Sequence, residues 1–256
     1  MTERVITKAC AVLGASALAV VAGCGGGHPK PEAAKPPTSV RHCAAGGLRD
    51  VRSARRAVAA VVVRPTTAYR SPGGAPIAKF GLRNVNRVPT VFGVIAEQVD
   101  RGCKLTWLHV QLPLRPNGVT GWVRAAHVEA LPVRTRITVD LSERRVRLYR
   151  NGRLVLSARA AIGSRATPTP LGHYYVNQRL IPADPRGPFG PGAVGISAFS
   201  PVLTGWTQGG PIAIHGTNEP WSIGRAVSNG CIRLPNSVLR RVFSIALAGT
   251  PVDIRR

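Results

Sequence analysis

Acidic residues are scarce in this chain. Its 256 residues carry 11 Asp and Glu against 35 Lys and Arg, a formal net charge of +24. Aromatic residues make up 5% and methionine occurs once. Internal repeats are missing, which excludes solenoid and propeller architectures. No Gly-rich loop is present to cradle a phosphate, and no paired zinc-ligand motif occurs. His173 and His215 are not spaced as local metal ligands, so neither a metal nor a cofactor is expected. Basic runs interleaved with aromatics are also lacking, and the positive charges are scattered. A nucleic-acid partner is therefore not expected, despite the basic balance.

What is present begins with an export signal. Arg4 and Lys8 precede the apolar run Ala9–Val20, which is too short for an ordinary membrane span. The run ends in Val21-Ala22-Gly23-Cys24, which resembles the lipobox of bacterial lipoproteins. The resemblance implies a signal peptide over 1–23 and lipid attachment at Cys24. It would anchor the protein to the outer face of the cytoplasmic membrane, facing the wall. An ordinary cleaved signal with a cysteine near the cut is the simpler alternative. Residues 24–56 open with Gly25-Gly26-Gly27 and continue Pro/Ala/Lys-rich, reading as a flexible tether. Outside the membrane, the charge fits lipid head groups or anionic wall polymers. Thirty of the 35 basic residues are Arg, so it equally fits the composition of a GC-rich genome.

Five cysteines are present, and Cys10 lies within the signal. With Cys24 as the lipid site, Cys43, Cys103 and Cys231 remain. An odd cysteine in an exported protein points to a reactive thiol, expected here at Cys231. Cys43 and Cys103 either pair as a disulfide or stay free and buried.

The chain reads as mainly β. Over 57–130, the runs Val61–Val63, Val91–Val94 and Trp107–Val110 are short and β-prone. Asn117-Gly118 ahead of Thr120-Gly121-Trp122-Val123 signals a hairpin. This order resembles bacterial SH3-like barrels, with the ligand left open. The apolar spacing over Leu48–Ala60 gives a weak signal for a short helix, broken at Arg55. A second unit, 133–256, starts with alternating Ile137, Val139 and Leu141. A hairpin follows about Asn151-Gly152. Residues 163–210 are Gly- and Pro-rich with little periodicity and read as loops lining a cleft. A helix is expected after Asn236, with Leu239, Val242, Phe243 and Leu247 on its apolar side and Gly249 at its end. Val252 and Ile254 suggest a last strand.

The richest chemistry lies in His215-Gly216-Thr217 and Ser228-Asn229-Gly230-Cys231-Ile232-Arg233, with histidine and cysteine sixteen positions apart. Thiol catalysis needs a nucleophile, a base and donors for an oxyanion, and this segment offers all three. Gly216 and Gly230 allow backbone to approach a substrate closely. The apolar runs Ile212–Ile214 and Ile232–Leu234 read as strands ending at these loops.

The string from His215 to Asn236 resembles the signature of the L,D-transpeptidases, with the YkuD-type catalytic domain. Thr169-Pro170-Leu171-Gly172-His173-Tyr174-Tyr175-Val176 resembles a second segment of that family, near the substrate cleft. Many members carry a histidine where this chain has Asn229. The resemblance implies a β-sandwich-like catalytic domain with a short C-terminal helix over 133–256. Cys231 would be the nucleophile and His215 the base, oriented by the Gly216 carbonyl or by the Thr217 hydroxyl. Backbone N–H groups near Asn229, Gly230 and Cys231 would form the oxyanion hole. Ser228 and Arg233 would shape the loop or contact substrate, and Arg233 equally suits a salt bridge. Trp221 would line the cleft or simply pack beside it. The substrates implied are peptidoglycan stem peptides, joined through a thioester. An L,D-carboxypeptidase with the same site and an inactive wall-binding lipoprotein remain alternatives. A papain-like protease fits less well, since its cysteine ordinarily precedes its histidine. Oligomeric state is not legible.

Overall fold

The computed structural model describes Cys43, residues 47–53 and residues 55–256. The export signal, Cys24 and most of the tether lie outside these residues. The described part, within the unit Arg41–Arg256, is mainly β with one α-helix.

The N-terminal sheet holds eight strands: β1 (Gly47–Asp50), β2 (Ala57–Val62), β3 (Thr66–Tyr69), β4 (Pro76–Phe80), β5 (Val91–Val99), β6 (Leu105–Gln111), β7 (Thr120–Arg124) and β8 (Val128–Val133). Their order is β4-β3-β7-β6-β5-β2-β8, and β1 pairs antiparallel with β5. Phe92, Val94, Leu108, Val110 and Val123 form its core, and Phe80 meets Phe92 edge-to-face at 4.9 Å.

Residues Gly47–Asp50 correct the sequence reading, which gave tether or short helix there. They form an edge strand, with Leu48 exposed and Val51 buried just beyond. Backbone pairing to β5 supplies the order that side-chain periodicity lacks. A disulfide joins Cys43 to Cys103, tying the start of the described chain to the β5–β6 turn.

The second sheet contains β9 (Thr135–Asp140), β10 (Arg145–Arg150), β11 (Arg153–Arg159), β13 (Gly172–Leu180), β14 (Ala193–Phe199), β15 (Pro211–His215), β17 (Ile232–Arg233) and β18 (Pro251–Arg255). Two short strands, β12 (Ile162–Gly163) and β16 (Ala226–Ser228), pair separately. The order is β11-β10-β9-β18-β13-β14-β15-β17, with β9–β18 and β15–β17 parallel. Alternation explains β9 and β10: Ile137, Val139, Val146 and Leu148 are fully buried, while Arg136, Thr138, Arg145 and Arg147 between and beside them are partly exposed. Asn151 and Gly152 both take positive φ, 52° and 78°, as the tight turn between β10 and β11 requires. Helix α1 (Asn236–Ile245) buries Leu239 and Val242 against this core, and Leu247 lies beyond it, exposed.

The stretch 163–210 is corrected in part. It contains β13 and β14, nine and seven residues long. Six of the seven β14 residues are buried, so the strand shows no inside–outside alternation to read.

The two sheets pack directly on each other. A Cβ on Gly93 would lie 2.8 Å from Tyr175 Cγ, so the absent side chain makes room for that ring. Gly249, at φ +88°, similarly admits Ala59. Polar links add to this: Gln111 Nε2 donates to the His173 carbonyl at 3.0 Å, and Arg136 to the Ser53 carbonyl at 2.9 Å.

Candidate active site

His215 ends β15, and Cys231 immediately precedes β17. These strands are hydrogen-bonded neighbours in parallel, with Ile214 opposite Ile232 and His215 opposite Arg233. Strand pairing therefore brings together two loops that are distant in sequence. Both residues line one cavity of about 710 Å³, together with Ser228, Asn229, Arg233, Phe189 and Trp206. A larger cavity, about 930 Å³, lies between the sheets and contains neither residue.

His215 is buried, and its Nδ1 lies 2.5 Å from the Gly216 carbonyl oxygen. A carbonyl can only accept, so Nδ1 carries the proton and Nε2 keeps its lone pair. The ring meets Phe189 edge-on at 5.0 Å. Burial lowers the imidazole to about 4; the Arg233 charge lowers it too, while the Gly216 carbonyl opposes both. Cys231 is the free cysteine among the described residues and is half-buried. Burial pushes its thiol up, against the Ala213 backbone hydrogen bond and the Arg233 charge. At neutral pH the pair is consequently a neutral thiol beside a neutral imidazole.

The Thr217 hydroxyl does not orient His215. It accepts the Glu219 N–H at 2.9 Å, while the Thr217 N–H donates to Asn236 Oδ1 at 2.8 Å. Gly216 is needed for close packing: a Cβ there would fall 2.3 Å from Asn236 Oδ1 and 2.7 Å from Pro191 Cδ. Arg233 forms an ion pair with Glu219 across the mouth of this loop. Trp221 is 56% exposed, beneath the Arg225 guanidinium, and lines no part of the cavity.

The cysteine loop is braced from two directions. Ser228 Oγ donates to the Cys231 carbonyl at 2.6 Å and accepts the Gly230 N–H at 3.2 Å. Thr169 Oγ1 donates to the Gly230 carbonyl at 2.8 Å, and Thr167 Oγ1 to the Ser228 carbonyl at 2.9 Å. Gly230 adopts φ +108°, and a Cβ there would also crowd Ile212.

Sequence reasoning missed Phe189, Trp206, Asn236 and Thr167. Asn236 stands five residues after Cys231 and reads simply as a helix start. Phe189 and Trp206 sit in Gly/Pro-rich segments whose only signal is an isolated aromatic.

Residues 134–254 match the model of the YkuD family, the L,D-transpeptidase catalytic domain. A putative L,D-transpeptidase YkuD of Bacillus licheniformis is 41% identical over 119 residues, which is 46% of this chain and 64% of that protein. Its counterpart in Bacillus subtilis is 38% identical over 120 residues, 47% of this chain and 65% of that protein. The chain thus spans a little under two thirds of these relatives. Among solved structures, the catalytic domain of an Enterococcus faecium L,D-transpeptidase is 27% identical, covering 47% of this chain and 96% of that one, with a TM-score of 0.36. On these sequence matches, residues 134–254 are similar to YkuD-type L,D-transpeptidase catalytic domains.

Proposed function

We propose that the protein is a peptidoglycan L,D-transpeptidase working through a Cys231 thioester. The observation that carries this reading is the placement of His215 at the end of β15 and Cys231 just before the parallel neighbour β17, open to one cavity. His215 Nε2 takes the thiol proton as sulfur attacks a peptide carbonyl of the donor stem. An S–C bond forms and the carbonyl becomes an oxyanion. As the C–N bond breaks, the imidazolium returns the proton to the leaving amine. An acceptor amine then attacks the thioester, losing a proton to Nε2, and the thiol leaves with that proton restored. The Gly230 N–H is occupied by Ser228 Oγ, so the N–H groups of Asn229 and Cys231 are assigned to the oxyanion.

Burial suits this order of events. A neutral pair becomes charged only as reaction proceeds, and the cavity's fixed donors then act in a poorly solvated site. Under the same proposal, residues 57–130 form an SH3-like unit preceding the catalytic domain. Residues 1–23 direct export, Cys24 carries the lipid, and the tether sets the domains within the wall.

The test is intact mass spectrometry of the protein mixed with a disaccharide-tetrapeptide, with Cys231→Ala as control. A Cys231-dependent adduct and a cross-linked dimer are expected. An adduct with trimmed monomer alone would move the reading to L,D-carboxypeptidase. Neither adduct nor turnover from a folded protein would leave a wall-binding lipoprotein.

A further inference from the structure

Part of the wall of the cavity holding His215 and Cys231 comes from the N-terminal sheet. Asn86, in the turn between β4 and β5, lines it beside Gln178 of β13 and Gln208 from the segment after β14. The three carboxamides are joined. Asn86 Nδ2 donates to Gln178 Oε1 at 2.9 Å and to Gln208 Oε1 at 3.3 Å, and Gln208 Nε2 donates back to Asn86 Oδ1 at 2.9 Å. Asn84 Nδ2 gives Gln178 Oε1 a second donor, also at 2.9 Å. Two donors on one carbonyl oxygen fix which end of the Gln178 amide faces the asparagines. Its Nε2 group has no protein acceptor among the described residues.

This wall is stiff. Asn84 Oδ1 accepts the Asn86 N–H at 2.9 Å, and the Arg87 N–H closes the turn onto the Asn84 carbonyl at 2.9 Å. The same sheet holds the segment that carries Gln208. Arg115 donates to the Ser200 and Gly209 carbonyls, both at 2.6 Å, and Asn117 exchanges two 2.8 Å bonds with the Phe199 backbone.

We propose that the N-terminal sheet completes the substrate site: Asn86 is a positioning residue that turns Gln178 so that its free amide N–H group donates to a peptide carbonyl of the acyl donor. The proposal rests on the acyl-transfer reading above. An extended peptide offers a carbonyl acceptor at every residue, and a half-buried donor gains most from an acceptor when water is displaced around it.

The test separates recognition from support. Gln178→Glu keeps an oxygen for Asn84 and Asn86 and replaces the free donor with a charged acceptor. In the full chain carrying Cys231→Ala, which binds without reacting, disaccharide-tetrapeptide affinity is measured by calorimetry, before and after adding Gln178→Glu or Asn86→Ala. Either addition is expected to weaken binding about tenfold, and Gln178→Glu to keep the parent's melting curve. Unchanged affinity in a folded Gln178→Glu protein overturns the proposal, as does the absence of any binding to Cys231→Ala. Should Gln178→Glu melt early, Asn86→Ala decides alone in the same way. Binding that depends on Gln178, beside a parent that never acylates, would sink the acyl-transfer reading and leave this subsite standing.

Discussion

Asn236 Oδ1 accepts the N–H of Thr217 at 2.8 Å, joining the first turn of α1 to the loop that orients His215. The same oxygen fills the space beside Gly190 and Gly216, where a Cβ on either would come within 2.4 Å of it. The Gly216 carbonyl that fixes the His215 tautomer is therefore placed by a side chain from the helix.

Asn236→Ala is expected to lower kcat/KM for acylation about tenfold, by freeing the Thr217 N–H and letting the Gly216 carbonyl drift. Asn236→Asp keeps the accepting oxygen and should recover most of the rate. Equal losses in both variants would show that the acceptor is not what matters.

The low imidazole pKa sets a pH window. Folded His215 stays neutral down to about pH 4, whereas the unfolded chain protonates it near its ordinary value of about 6.5. The unfolded state thus binds more protons between these limits, so stability falls as pH drops from about 6.5 to about 4. The full loss approaches about 3 kcal/mol below that window. Urea melts of the protein and of His215→Gln across this range should differ in slope, the variant being flatter. The acid limb of kcat/KM is expected near pH 4, not near 6.5.

Tyr175 is buried with its hydroxyl unpartnered, its ring seated on Gly93. Tyr175→Phe removes an unsatisfied polar atom and is expected to hold or raise stability, by up to about 1 kcal/mol. Gly93→Ala drives a methyl into the ring and should cost about 1–3 kcal/mol. Denaturant midpoints at constant m-value read both effects, and a marked loss in Tyr175→Phe would mean that the hydroxyl has a partner after all.

Opening the Cys43–Cys103 bridge, which spans 60 residues, by a double change to Ser should destabilise the protein by about 2–4 kcal/mol. The expected signature is a lower melting temperature for the non-reducing parent once dithiothreitol is added, with no change for the double variant.

Much of the fold was legible where alternation or turn chemistry was strong. The β10–β11 hairpin announces itself through Asn151-Gly152, and α1 through Leu239 and Val242. The strand ends at His215 and Cys231 were legible because glycines interrupt short apolar runs. Strand β14 was not, because burial on both faces removes the alternation that marks a strand. Strand β1 was hidden because its order comes from β5, far along the chain, as with Gly47 opposite Val99. The site's second ring was hidden for the same reason. Asn86 and Gln178 are 92 positions apart, and no local pattern ties an amide in one sheet to an amide in another.

The parallel pairing of β15 with β17 has a consequence for how such a protein can diversify. Backbone pairing fixes where His215, at the end of β15, and Cys231, just before β17, stand relative to each other. The cavity's outer wall is instead assembled from side chains on a turn, on β13 and on a long loop. Insertions or exchanges in that wall can retune which peptide enters without disturbing the proton path, so selectivity and chemistry are free to change on separate schedules.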